Sequence, residues 1–223
     1  MCVYKAFFYF YLILLFSPLP SLAMDNKNIE KTTKVPITEN LFYIDVIHNE
    51  KTIRIEREQN RLNRLDNSYT KTSRVCPPFC IQPQQILANV KTVAELELLD
   101  FIENKLKKKK GLMIDGRING WYQKATIPGS INLPFTLIDP DIESIITQRI
   151  LTLFGAYLGE GAIWHFSDAQ ELLIFGNGSW GDQSARAIKN LLYLGYPPEK
   201  IAWYRGGIQS WLQLGLTVVA TKD

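Results

Sequence analysis

Apolar and polar positions along this chain fall into blocks whose period changes several times. Residues 172–175 form a short unbroken apolar run with polar residues on either side, the pattern of a strand buried on both faces. From Ser184 onward, Ala187, Ile188, Leu191, Leu192 and Leu194 recur at helical spacing. Between the two lies Gly176-Asn177-Gly178-Ser179-Trp180-Gly181-Asp182-Gln183, a glycine-rich turn from strand to helix. Such a turn gathers backbone N–H groups at a helix N-terminus and can hold an anion. Many α/β enzymes put their reactive atom there.

The neighbouring blocks repeat the theme. Thr92-x-x-Glu95 reads as a capping box opening a helix with Leu96, Leu99, Ile102 and Leu106 on one face, ended by Gly111. Residues 112–114 read as a buried strand with Asp115 and Arg117 just past its end. Asp139, followed by Pro140, predicts the start of a helix running to about Tyr157. A glycine-rich connector over 155–161 then leads to Trp164-His165-Phe166. Residues 201–204 read as a strand, Arg205-Gly206-Gly207 as a turn and 208–214 as a last helix. Helix and strand alternate, so the predicted fold is α/β, a parallel sheet flanked by helices.

The N-terminal third reads differently. Residues 41–47 and 52–55 are β-rich runs around His48-Asn49-Glu50-Lys51, a predicted hairpin. Residues 57–74 are polar, with only Leu62, Leu65 and Tyr69 to bury, a linker or a chain packed across the main domain. At the start, Lys5, the apolar run 6–16 and Ser21-Leu22-Ala23 form an export signal with cleavage expected near Ala23. The apolar run is shorter than the roughly 20 residues of a spanning helix, so no stable membrane anchor is expected after cleavage. The resulting division is a signal over 1–23, an extension over 24–90 and a main domain over 91–223. The expected location is the periplasm.

Composition is that of a globular protein: 46% hydrophobic and 21% charged over 223 residues, with a formal charge of +3. That charge is too small to imply a nucleic-acid partner, and the basic run at Lys105 and Lys107 to Lys110 reads as a solvated helix end. Three cysteines occur, and removal of the signal leaves Cys76 and Cys80. In an oxidising compartment an isolated pair points to a disulfide, with free thiols or a working redox pair as the alternatives. The spacing is not Cys-x-x-Cys and no histidine is close in sequence, so no metal site is expected, and no cofactor.

Three ordered motifs resemble the rhodanese family. Met113-Ile114-Asp115-Gly116-Arg117 followed by Ile127-Pro128-Gly129-Ser130-Ile131-Asn132-Leu133-Pro134 is similar to the family's Asp-x-Arg strand end and Ile-Pro-Gly turn. Ser184-Ala185-Arg186-Ala187 with Leu194-Gly195-Tyr196 is similar to the helix after the active loop. Trp203-Tyr204-Arg205-Gly206-Gly207-Ile208 with Trp211 matches the closing strand and helix. The Cys-Pro-Pro-Phe-Cys lead-in resembles an exported bacterial subgroup. The resemblance implies a rhodanese-like sheet and sulfur transfer through a loop cysteine that carries a persulfide. Here the chain departs from the pattern. Counted from Leu194-Gly195-Tyr196, the cysteine position falls on Gly178 and the loop arginine on Gln183; counted from the strand end, the cysteine falls on Gly176. The subgroup's cysteine positions are Gly176 and Gly181. Each register gives glycine, and without a thiolate nothing attacks or holds sulfane sulfur.

The remaining loop residues offer weaker chemistry. Ser179 would need a base, and His165 with Asp168 is the combination available on composition. Asp182 is expected to cap the following helix, and Arg186 lies in its first turn. Asp115 and Arg117 are expected to anchor structure. Trp180 is expected to pack against the N-terminal extension or a partner, with Trp121, Tyr122 and Trp164 as possible parts of one surface. The favoured function is a non-catalytic periplasmic module that binds a protein or a small ligand through Asn177, Ser179, Trp180, Asp182 and Arg186. The alternative is a sulfurtransferase or thiol-redox enzyme in which Cys76 or Cys80 replaces the missing loop cysteine. In a third reading the hairpin and cysteine pair only staple the domain edge.

Overall fold

The computed structural model describes residues 34–77, 80–81 and 85–220. The expected export signal, most of the polar leader and parts of the Cys-Pro-Pro-Phe-Cys turn lie outside the described residues. A hairpin of β1 (Tyr43–His48) and β2 (Lys51–Glu56) comes first, antiparallel in register from Tyr43 with Glu56 to His48 with Lys51. Its two-residue turn, Asn49-Glu50, has positive φ at both positions, the geometry that matches strand twist. The hairpin prediction holds, each strand shifted by one or two residues.

The main sheet has five parallel strands in the order β3 (Lys91–Val93), β9 (Ile201–Tyr204), β8 (Glu171–Phe175), β4 (Gly111–Asp115) and β5 (Ile131–Asn132). Alternate residues of the central strands serve two cores. Leu172 and Ile174 of β8, Ile114 of β4 and Trp203 of β9 enter one core with Ile188 and Leu191. Leu173, Phe175, Met113 and Tyr204 enter the other with Leu98, Ile102 and Trp211. Strands covered on both faces need apolar residues at every position, which is why β8 reads as an unbroken apolar run.

Among the described residues the α-helices are α1 (Glu95–Phe101), α2 (Asn119–Lys124), α3 (Ile145–Leu153), α4 (Gln183–Tyr193) and α5 (Gly207–Gln213). The hairpin is part of the second core through Ile44, Val46 and Ile55. Its last side chain, His48, is buried and accepts a hydrogen bond at Nδ1 from Gly129 N–H (3.2 Å). Gly129 has φ +87, and a Cβ there would lie 2.7 Å from Val46 Cγ2, so this glycine lets the hairpin close on the turn.

Three local expectations are corrected. The capping interaction of α1 joins Glu97 Oε2 to Ala94 N–H (3.1 Å), while Thr92 belongs to β3; Leu96 is exposed and Leu98 and Phe101 are buried instead. The helix expected from Asp139 begins at Ile145. Asp139 and Asp141 accept N–H groups two residues on (2.8 and 2.9 Å), and these side-chain turns hold the backbone out of helix. Tyr157 is the first residue of β6 (Tyr157–Leu158), which pairs with β7 (Trp164–His165) in a small antiparallel ribbon.

Candidate functional site

β4 and β8 end side by side, with Asp115 opposite Phe175, so the turns that follow them share one end of the sheet. After β4, Arg117 folds back onto Asp115. Nε donates to Oδ1 at 2.9 Å and Nη2 to Oδ2 at 2.6 Å, and both residues are fully buried. Thr126 Oγ1 donates to the same carboxylate (2.8 Å), and Arg117 Nη2 also donates to Ala125 O (2.5 Å). A buried ion pair needs such added partners to offset desolvation. Arg117 Nη1 has two longer contacts, with Asn177 Oδ1 (3.3 Å) and Tyr69 Oη (3.4 Å). The pair therefore connects three segments: its own strand end, the glycine-rich turn and the N-terminal extension. Burial raises the pKa of Tyr69, with Arg117 opposing that shift, so the phenol stays neutral beside the pair.

After β8 the turn is held by its backbone. Gly176 O accepts from Ile208 N–H and Asn177 O from Gln209 N–H, both at 3.0 Å, and Gly181 N–H donates to Gly178 O at 3.1 Å. Gly207 makes this approach possible. Its φ is +56, and a Cβ on it would come within 2.5 Å of Gly176 O and 2.6 Å of Gly178 N. The three loop glycines have ordinary φ, and their surroundings differ. A Cβ on Gly176 would sit 3.2 Å from Ser184 Oγ and 3.7 Å from Ser184 N, against the N-terminus of α4. One on Gly178 would press on Gln209 Oε1 and Trp180 Nε1, each at 3.0 Å; one on Gly181 would meet nothing nearer than 3.6 Å.

The N-terminal extension crosses the turn. Trp180 Nε1 donates to Gln209 Oε1 (2.8 Å), and Gln209 Nε2 donates to Tyr69 O (2.9 Å). The Arg74 guanidinium lies 3.9 Å from the centre of the Trp180 ring. Arg205, just past β9, donates to Cys80 O. Cys76 and Cys80 are joined in a disulfide with Cα atoms 5.9 Å apart. Arg74 Nε, Arg205 Nε and Gln183 Oε1 are buried from solvent with no hydrogen-bond partner among the described residues.

The predicted site residues therefore divide. Asn177 and Trp180 join the structure around the turn, and Asp115 and Arg117 form its buried anchor. Asp182 does not cap α4: its side chain makes no cap hydrogen bond and its backbone is already helical (φ −99°, ψ −5°). Arg186 lies over the Phe135 ring at 4.6 Å. His165 is exposed in β7 and stacks on Tyr157 (5.1 Å), and no hydrogen bond links it or Asp168 to Ser179 among the described residues. Trp121 packs with Tyr69 (6.2 Å), whereas Trp164 packs against the opposite core, so the tryptophans form no single surface. Sequence reasoning missed Gln209 and Arg74. Tyr69 had a signal, as an aromatic in a polar stretch, but nothing in its spacing named its partners. No group of acidic, histidine or cysteine side chains suited to a metal ion occurs among the described residues.

A parallel α/β sheet whose central strand feeds a glycine-rich turn and a helix, with an Asp-Arg pair ending the next strand, defines a rhodanese-type architecture. The chain belongs to the rhodanese-like domain family, whose model matches residues 98–214, just over half of it. Among solved structures, it is similar to protein BH2092 from Bacillus halodurans, with 18% identity over 59% of this chain and 77% of that chain (TM-score 0.42). It is also similar to a human single-domain sulfurtransferase, with 22% identity over 56% of this chain and 96% of that chain (TM-score 0.39). A rhodanese with anions from E. coli shows 21% identity over 51% of this chain and 99% of that chain (TM-score 0.32). No curated protein matches the chain.

Proposed function

We propose that this protein is an exported rhodanese-like module that transfers no sulfur and uses its altered turn for recognition. The observation that carries this reading is Gly176 as the first residue after β8, in a turn held by backbone hydrogen bonds and without a thiol. Sulfur transfer by this family needs a thiolate to attack and to hold the persulfide. Cys76 and Cys80 are bonded to each other in the extension. The Arg74 guanidinium over Trp180, and Arg205 just before the α5 segment that holds the turn, supply positive charge beside it for an anionic ligand or the acidic side chain of a partner. The export signal read in the sequence over residues 1–23 supports a periplasmic location, where a disulfide persists.

The competing enzyme reading rests on the Cys80 contact with Arg205, two residues before the glycine that seats the turn. A thiosulfate:cyanide assay separates the two. The unmodified chain and the Cys76→Ser/Cys80→Ser variant are expected to be equally inactive. Turnover that disappears with the two cysteines would establish the enzyme reading, and turnover that survives their loss would refute both. Fractionation of cells expressing the full chain tests location, with recovery in the periplasmic fraction expected.

A further inference from the structure

A cleft of about 820 Å³ lies away from the glycine-rich turn, between the extension and the domain. Its size is within the roughly 300–1,000 Å³ range of small-molecule sites. One side is made by residues 56–59, 63–66 and 68 of the extension. The other is made by Trp121, Leu212 and Leu216, with Tyr69 between them. The walls are pinned together by backbone hydrogen bonds from Glu58 N–H to Gly215 O (2.6 Å) and from Thr217 N–H to Glu56 O (3.1 Å). The cleft is therefore part of the fold and not a gap beneath a loose segment.

Its charged groups are unevenly used. Asp66 accepts from Ser68 N–H and Oγ, and Glu58 accepts from Asn60 N–H. Lys124 lies over the Trp121 ring (5.2 Å), and Arg64 is exposed. Glu56, the remaining carboxylate of the lining, is exposed. Arg57 differs from all of these: it is half-buried, and among the described residues it makes no ion pair and its solvent-shielded Nε has no hydrogen-bond partner. The terminal nitrogens of Arg57 are not shielded in this way, and a partly desolvated guanidinium without a counter-ion attracts an anion more strongly than a fully exposed cation does. Aromatic and aliphatic walls beside an unused guanidinium suit a molecule with an apolar or aromatic body and one anionic group.

We propose that this cleft binds a small aromatic or apolar monoanion, with Arg57 as the partner of its charge. The site is separate from the turn of the functional reading above and does not depend on it. Tyr69 belongs to both, through its place in the cleft and its bonds to Arg117 and Gln209, so an occupied cleft also steadies the strap over the turn.

The test is a fluorescence titration of the folded full chain with anilinonaphthalene sulfonate and with its uncharged analogue N-phenyl-naphthylamine. The expected result is saturable binding at one site, with the sulfonate bound about tenfold more tightly, the worth of one charge-assisted hydrogen bond. Arg57→Met should remove that preference while keeping the neutral probe bound. Leu212→Trp should weaken both probes by filling the cleft, and Arg54→Met, on the hairpin, should change neither. No saturable binding, or a preference for the sulfonate that persists in Arg57→Met, would overturn the proposal. The Arg57→Met result decides the matter even where Leu212→Trp does not fold.

Discussion

The turns after β4 and β8 leave neighbouring strands at the same level, with Asp115 opposite Phe175, yet they are built on different principles. The β4 turn depends on side chains: a fully buried Asp115–Arg117 pair that also engages Thr126, Ala125 and Asn177. The β8 turn depends on backbone: carbonyls of Gly176 and Asn177 held by amides of α5, and Gly207 permitting the approach. Gly176 can therefore lack a side chain without loss of the hydrogen bonds that seat the second turn on α5. Side-chain chemistry cannot be lost from the first turn without leaving a buried charge unpaired.

The largest expected effect follows from that contrast. Arg117→Ala leaves the Asp115 carboxylate buried without its cation, and the expected loss is about 3–5 kcal/mol in denaturant unfolding. A loss below about 1 kcal/mol would remove the distinction between the two turns. His48 should show a pH-dependent effect. It accepts from Gly129 N–H and burial lowers its pKa below the ordinary 6.5, so only the neutral ring fits. Its contribution should be fully present above pH 6.5 and fade as pH falls through the lowered folded value. His48→Gln keeps an acceptor that does not titrate, and thermal melts across that range should then show a flatter profile.

Smaller effects are expected around the β8 turn. Arg74→Ala removes the stack on Trp180, worth about 0.5–1 kcal/mol. Hydrogen exchange should quicken in the strap while the central strands keep their protection. Ser179→Ala should change stability by less than about 0.5 kcal/mol, because no hydrogen bond of its side chain is found among the described residues. A larger loss at Ser179 would show that the turn relies on side chains after all.

The alternation of α and β and the parallel sheet were legible because residues 172–175 and 201–204 are apolar at successive positions and α4 is cleanly periodic. The altered turn was legible too, since its glycines stand between those two elements. The start of α3 was not, because Asp139 and Asp141 fit a helix cap and a side-chain turn equally well. Asp182 misled for a related reason: a capping residue must leave helical φ and ψ, and that depends on how the turn is seated. The strap could not be read. Its contacts join Tyr69 and Arg74 to Gln209 and Trp180, more than a hundred residues away, through a polar segment without periodicity.

The central claim is that the scaffold is intact and the reactive sulfur is missing. Gly176→Cys tests it most directly, because a Cβ there presses only on the Ser184 hydroxyl (3.2 Å), which must yield by a few tenths of an ångström, and lies 3.7 Å from Ser184 N, where a helix N-terminus lowers a thiol's pKa. Both this variant and the unmodified protein would be exposed to thiosulfate and analysed by intact mass spectrometry, each also with Cys76 and Cys80 replaced by serine. The expected result is one added sulfur on the Gly176→Cys chains and none on the others. Added sulfur on the chain that has Gly176 and lacks both cysteines, or its absence from a folded Gly176→Cys protein, would contradict the claim.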